Sequence, residues 1–160
     1  MITSITKEGY LFSIERDKTV EYYASHSLCD CEGCRNYYKQ IKGHFPELEE
    51  FLDGFGIDIS RPDEMPWFDN DGHIEYTPYY TVVGNIEKMD SHEIGYGDLS
   101  LAFYRSESQE VSFPTEQTEP YFVIAVFGIV LPWALDTSLP SAPAWRNLIP
   151  RAFAKYRKIT

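Results

Sequence analysis

Residues 26–38, HSLCDCEGCRNYY, contain all three cysteines of the chain and a histidine three positions before the first of them. Thiolate and imidazole groups are favoured zinc ligands, and a structural zinc ion takes four of them in a tetrahedron. Cys31 and Cys34 have the C-x2-C spacing of a zinc knuckle, with a glycine where the turn tightens. The stretch therefore predicts a structural zinc site whose ligands are His26, Cys29, Cys31 and Cys34.

Two other interpretations of the cysteines stay open. In one, Asp30 caps a helix and the cysteines are small buried apolar groups. In the other, Cys31 and Cys34 form a redox C-x-x-C pair at a helix N-terminus, where the dipole lowers a thiol pKa. The βαβ unit typical of such redox sites is not apparent here. Strong zinc signatures pair two knuckles, and this stretch has one. Cys29 and Cys31 also point opposite ways in an extended segment, so a remote histidine, His73 or His92, is an alternative source of one ligand.

No other motif indicates catalysis. The sequence has no nucleophile elbow, phosphate-binding loop, dinucleotide fingerprint or zinc-protease helix. Residues 69–75, DNDGHIE, resemble a calcium-binding loop but lack its first and last acidic ligands, which favours a hairpin turn. The sequence pairs no nucleophile with His73 or His92. We therefore expect no catalytic residues and a protein that is not an enzyme.

The charge of the chain limits its partners. The net charge is −11, from 25 acidic and 14 basic residues. A field of this sign repels nucleic-acid backbones and anionic membranes, so we expect binding to neither. From residue 137 onward the only charged residues are basic: Arg146, Arg151, Lys155, Arg157 and Lys158. Opposite charges on one chain attract, which predicts that this basic tail packs across the acidic body.

The hydrophobic pattern predicts a cytosolic protein. The first ten residues include Lys7 and Glu8 and have no apolar core, so they do not resemble a signal peptide. The longest apolar run, residues 121–135, contains Gly128 and Pro132 and is too short and too interrupted to span a bilayer. In a reducing cytosol the three cysteines are expected to be thiols or metal ligands.

The elements that must position these cysteines can be predicted from periodicity. Residues 9–23 indicate a β-hairpin with its turn near Asp17-Lys18. Two short helices follow, at about residues 31–42 and 46–55. The second has a proline in its first turn and an acidic face, which is either a solvated face or an interaction surface for a basic partner. Residues 67–77 predict a hairpin around residues 70–72. Two further strand patterns and a central strand buried on both faces, residues 121–135, complete a sheet.

These elements indicate one α+β domain over residues 1–160. We expect an antiparallel sheet of about five to seven strands, with a two-helix segment inserted near residues 31–55. Its parts are a β-hairpin in residues 1–25, the cysteine-containing helical segment 26–56, the sheet in 66–135 and the basic tail 137–160. The tail is expected to be helical from about Pro150.

Several stretches together resemble a family of small bacterial cytosolic proteins that has no established activity. They are the tyrosine- and cysteine-rich stretch 22–38 (YY-x2-H-x-L-C-D-C-x2-C-R-N-Y-Y), FPELEEFL at 45–52, GIDISRPDE at 56–64, YTVVG at 80–84 and LPW at 131–133. The resemblance implies a bacterial, cytosolic protein and assigns no catalytic residue.

Two hypotheses of function follow. The first is an acidic binding protein that holds a basic protein partner; an immunity-type protein that neutralises a basic toxin is one concrete form. Electrostatic steering would speed such an association. The second is a small protein in which the His/Cys cluster holds a structural zinc ion. An enzyme is the least favoured class.

Overall fold

The structure is a computed structural model that describes residues 1–91, 93–108 and 119–139. Within these residues the chain forms three helices and nine strands. The helices are α1 (Arg16–Ser25), α2 (Glu32–Gln40) and α3 (Pro46–Gly54). The strands are β1 (Thr3–Lys7), β2 (Tyr10–Ile14), β3 (Trp67–Asn70), β4 (His73–Tyr76), β5 (Tyr79–Lys88), β6 (Glu93–Tyr96), β7 (Leu99–Arg105), β8 (Tyr121–Phe127) and β9 (Ile129–Pro132).

The strands form two antiparallel sheets. The larger has six strands in the order β1-β2-β5-β8-β7-β6, and the smaller has three in the order β3-β4-β9. The predicted α+β class with antiparallel strands is confirmed. The larger sheet, with six strands, lies within the five to seven predicted, and the described residues add a smaller three-stranded sheet that was not predicted.

The division into two sheets occurs at Gly128, inside the long apolar run. Before it, β8 lies between β5 and β7 in the larger sheet; after it, β9 pairs with β4 in the smaller one. Gly128 has a φ of +97°, a region that residues with a Cβ rarely adopt. The central strand predicted for this run is confirmed for β8, since its alternate residues belong to apolar clusters on opposite faces.

The hairpin predicted around residues 70–72 is confirmed. Asn70 pairs with His73, which leaves Asp71 and Gly72 as a two-residue turn. Both turn residues have positive φ, +53° and +86°, as a type I′ turn requires. The side chain of Asp69 accepts a hydrogen bond from the Gly72 N–H at 2.7 Å.

The N-terminal hairpin lies nearer the start of the chain than predicted. It closes through Glu8-Gly9 between β1 and β2, and residues 16–25, predicted as its turn and second strand, form α1. Thr19 and Tyr23 lie one helical turn apart and are buried. The Tyr23 hydroxyl donates to the Thr81 carbonyl of β5 at 2.8 Å, which docks α1 on the larger sheet. The Tyr22-Tyr23 pair suggested a strand, but tertiary packing decides the outcome.

The two helices predicted after the cysteines are confirmed as α2 and α3. Pro46 occupies the first turn of α3, where its missing N–H costs nothing, and Leu48 and Leu52 form the buried stripe. Helices and both sheets contribute to one core. No helix in the described part of the chain is long and apolar enough to cross a membrane. His92 and residues 140–160, with the predicted basic tail and helix, lie outside the described residues.

Candidate metal centre

Three thiols come together immediately before and within the first turn of α2. The Sγ atoms of Cys29, Cys31 and Cys34 all lie within 4.8 Å of one another. Thiolates that share a tetrahedral zinc ion are about 3.8 Å apart, so a small movement of the side chains would bring all three to a metal. In the described residues no fourth histidine, cysteine or acidic side chain belongs to this group.

The convergence results from the way the chain enters α2. Cys31 is the N-cap residue, with an extended backbone (φ −64°, ψ 157°), and its Sγ accepts a hydrogen bond from the Cys34 N–H at 3.4 Å. The cap position was predicted for Asp30, and that is wrong. Cys29 and Cys31 are exposed and only Cys34 is buried. The interpretation of the cysteines as buried apolar groups therefore fits one of the three.

Asn36 fixes α2 against the smaller sheet. The side chain is fully buried. Its Nδ2 donates to the Tyr76 hydroxyl at 2.9 Å and to the Pro132 carbonyl at 3.2 Å. Its Oδ1 accepts from the Ala134 N–H at 2.8 Å and from Gln40 Nε2 at 3.0 Å. Both the donor and the acceptor of the Asn36 amide have partners. This residue therefore fixes the orientation of α2 on the smaller sheet as well as its position.

The smaller sheet also covers the first turn of α2. The Tyr76 hydroxyl donates to the Gly33 carbonyl at 2.7 Å. A Cβ at Gly33 would overlap the Trp67 ring, so glycine allows β3 to approach the helix closely. The Trp67 side chain, on β3, also hydrogen-bonds Cys31. Cys31 and the first turn of α2 are thus packed against the smaller sheet.

Tyr38 anchors the backbone of Cys29, the residue that carries the third thiol. The Tyr38 hydroxyl, one turn along α2 from Cys34, donates to the Cys29 carbonyl at 3.0 Å. Burial, and then the neighbouring thiol of Cys34, raise the pKa of Tyr38. The phenol therefore stays protonated and keeps its role as a donor across the neutral range.

The three thiols have unequal electrostatic environments. The hydrogen bond from the Cys34 thiol is the largest of the effects that lower the pKa of Cys31 to about 5. The Cys34 N–H, Cys29 and Trp67 act in the same direction. The same bond to Cys31, together with burial, raises the pKa of Cys34. Cys31 therefore holds the negative charge and Cys34 retains the proton.

His26 lies against a carboxylate, and it is not part of the thiol group. Its Nε2 is 3.2 Å from Oδ1 of Asp63, whose side chain is only 8% exposed. The imidazole stacks on Tyr22, with ring centroids 5.4 Å apart. His26 is the C-cap of α1, and Arg61 donates to its carbonyl at 2.8 Å. The structure brings together Cys29, Cys31 and Cys34 of the predicted ligand set and places His26 at the end of α1.

His73, the alternative ligand, and three residues that position the thiols remain to be placed against the predictions. His73 begins β4, is exposed and does not belong to the thiol group. Asn36 and Trp67 were not predicted to support the site, and Gly33 was predicted to tighten a knuckle turn, whereas the structure uses it for close approach of Trp67. The only local signal was the glycine inside a helical pattern, which often marks close approach of another element.

Comparison of the chain with protein-family models, with curated proteins and with solved structures gives no match. The geometry of the thiol group is therefore the basis for assigning a function.

Proposed function

We propose that Cys29, Cys31 and Cys34 bind a thiophilic divalent metal ion, with zinc as the best-suited candidate. The observation that carries this proposal is the mutual approach of the three Sγ atoms within 4.8 Å at the start of α2. Thiolate ligands favour zinc and other soft metals over magnesium or calcium. The cytosolic location predicted from the sequence would keep the thiols reduced and available.

The proposed metal would clip the segment before α2 to the helix. Cys29 precedes the helix, Cys31 caps it and Cys34 lies in its first turn, so one ion would join three successive parts of the chain. With three protein ligands a tetrahedral ion keeps one position for water or an external ligand. The site would stabilise the helical segment and present an accessible metal at the surface.

Metal content and spectroscopy test this proposal. The untagged protein, purified without chelator, is expected to contain a single zinc ion per chain. Cobalt substitution should give thiolate-to-metal charge-transfer bands. Changing Cys31→Ser or Cys34→Ser should remove the metal and lower the thermal stability of the loaded protein, while the metal-free forms remain comparable. Metal-free protein that binds neither zinc nor cobalt would overturn the proposal.

The matched control separates the three-thiol site from the four-ligand site predicted by the sequence. His26→Ala should leave zinc binding and the cobalt spectrum unchanged, because His26 lies against Asp63. The Cys29→Ser variant should weaken binding strongly, since it removes one of the three thiols. Loss of the metal from the histidine variant would instead support His26 as the fourth ligand.

A second proposal retains the acidic surface as a binding site for a basic protein partner. Glu47 and Glu50 are exposed on α3, and Glu8 is exposed on the turn between β1 and β2. Besides burial, these three carboxylates raise the pKa of Tyr96, which shows that their fields overlap. Lys7 lies over the Tyr96 ring at 4.9 Å and offsets part of the charge. The patch formed by Glu8, Glu47, Glu50 and Tyr96 supports recognition of a cationic surface.

Salt dependence and charge removal test this second proposal. Polylysine is the probe, and its affinity should fall steeply as salt rises. The double variant Glu47→Gln/Glu50→Gln should bind much less tightly than a control with the same net charge, Asp17→Asn/Glu21→Gln on α1. Equal losses in the two variants would show only a general effect of net charge and would reject the patch.

A further inference from the structure

The thiol group contains two neighbouring cysteines of unequal accessibility. Cys31 is exposed at the helix cap, whereas Cys34 is 5% exposed in the first turn of α2. Their Sγ atoms are within 4.8 Å, and the Cys34 N–H donates to Cys31 Sγ at 3.4 Å. An external reagent can reach the first sulfur, and the second sulfur is positioned behind it.

We propose that Cys31 and Cys34 form a dithiol pair that reduces a small, neutral or cationic disulfide, with Cys31 as the attacking sulfur. The net charge of −11 disfavours anionic disulfides at this surface. This activity uses the metal-free thiols, so it stands or fails independently of metal binding.

The reaction has two exchange steps. The Cys31 thiolate attacks one sulfur of the substrate disulfide; the substrate S–S bond breaks and one thiolate leaves, taking up a proton from solvent. Cys34 gives its proton to solvent and attacks the Cys31 sulfur of the mixed disulfide. The second substrate thiolate leaves and is protonated. Two thiols are oxidised to the Cys31–Cys34 disulfide, and one disulfide is reduced to two thiols.

The local geometry favours closure between Cys31 and Cys34. Residues three apart at a helix start are neighbours, with Cβ atoms about 5–6 Å apart in a regular turn. A disulfide needs Cβ atoms about 3.5–4.5 Å apart. Cys31 has an extended backbone at the cap position, and a small adjustment there would shorten the distance between the two Cβ atoms. Cys29 also touches the group, but it is exposed. The hydrogen bond from the Cys34 N–H goes to Cys31 Sγ, which assigns Cys31 as the partner of Cys34 and makes Cys29 the control residue.

The experiment uses hydroxyethyl disulfide as the probe, in the presence of a chelator so that no metal occupies the thiols. In a Cys29→Ser background the protein should release two equivalents of mercaptoethanol and form a Cys31–Cys34 bond, identified by peptide mass mapping. Adding Cys34→Ser should reduce the release to one equivalent and trap mercaptoethanol on Cys31. Adding Cys31→Ser instead should reduce the reaction rate at least tenfold, because Cys34 is buried.

Mapping of the wild-type chain keeps the proposal testable if a variant fails to fold. The oxidised wild type should contain the Cys31–Cys34 bond. A bond from Cys29 to either of the others, or a trapped adduct on Cys34, would overturn the assignment of roles. Absence of any disulfide after prolonged exchange would reject the activity. Zinc binding by the reduced protein in the same series would leave the metal proposal intact.

Discussion

Helices α2 and α3 have the same length, nine residues, and both pack on the core, but they differ in the side-chain hydrogen bonds that attach them. α3 presents an apolar stripe, Leu48 and Leu52, to the core. α2 also buries Cys34 and Tyr37, but it adds hydrogen bonds from Asn36, Tyr37 and Gln40 to other elements. Burial is non-directional, whereas a hydrogen bond requires a particular orientation. The helix that carries the thiols is therefore the one whose orientation is most closely specified.

The largest contrast should come from near-isosteric substitutions in the two helices. Asn36→Asp would replace two donors by a carboxylate at a fully buried position facing the Pro132 carbonyl. The free energy of unfolding should fall by about 3–5 kcal/mol, as for an uncompensated buried charge. Leu52→Met in α3 conserves volume and should cost less than about 1.5 kcal/mol. Denaturant titration of both variants measures the difference, and equal losses would contradict the contrast.

A second pair of variants adds a methyl group to each helix. Gly33→Ala would force the new Cβ into the Trp67 ring, and the overpacking should cost about 1–3 kcal/mol despite the better helix propensity of alanine. Gly54→Ala in α3 would meet only Ile5 Cδ1, at 3.8 Å, and should be neutral or stabilising by up to about 1 kcal/mol. Tryptophan fluorescence and thermal unfolding report both effects. A stabilising Gly33→Ala would show that β3 moves away easily.

A third pair removes one hydroxyl from each region. Tyr38 donates to the Cys29 carbonyl at 3.0 Å, and Tyr96 donates to the Glu47 carbonyl of α3 at 2.9 Å. Tyr38→Phe and Tyr96→Phe should each lower the free energy of unfolding by about 0.5–1 kcal/mol. Only Tyr38→Phe should also weaken zinc binding, by a few-fold, because it frees Cys29. Competition with a chromophoric chelator distinguishes the two. An equal effect on zinc would remove Tyr38 from the site.

The smallest effect is a pH-dependent one at Asp58, which follows α3 and pairs with Lys42 in the loop between α2 and α3. Burial acts to raise the pKa of Asp58, but hydrogen bonds from Ser60 and the charge of Lys42 outweigh it and hold the pKa below its usual value. A depressed carboxyl pKa stabilises the fold above the unfolded value, about 3.9, and that stability is lost as the pH falls through the folded value. Asp58→Asn should therefore flatten the stability profile below about pH 4 and lower stability at pH 7. If the free energy of unfolding of the variant fell with decreasing pH as steeply as that of the wild type, this prediction would be wrong.

Much of the fold was predictable because the signals are local. The Asp71-Gly72 turn, the alternation in β7 and the proline at the start of α3 each fix an element within a few residues. The first hairpin was displaced because its turn, Glu8-Gly9, is a less distinctive pair than Asn-Gly. The split into two sheets depends on a single backbone conformation at Gly128, and the apolar run around it contains no other interruption that marks the boundary.

The candidate site was predictable in composition but not in full geometry. Three cysteines within six residues indicated the ligand types. Their convergence depends on Cys31 taking the cap position, where its sulfur lies beside the third residue of the helix. The place of His26 depends on Asp63, which lies 37 positions later and is brought close only by the tertiary fold. The importance of Asn36 was likewise invisible, because a polar residue in a short helix is usually expected at the surface.

The bend at Gly128 has a consequence for how the molecule opens. β8 and β9 are one continuous stretch, so the central strand of the larger sheet leads directly to the strand whose end holds Asn36. Local unfolding of α2 therefore releases groups attached to β9, which continues directly from the buried central strand β8. In native-state hydrogen exchange, the amides of α2 and β9 should show the same free energy of opening. That free energy should lie well above the value for α3. The thiol-bearing helix would then belong to the cooperative core although its sulfurs are at the surface.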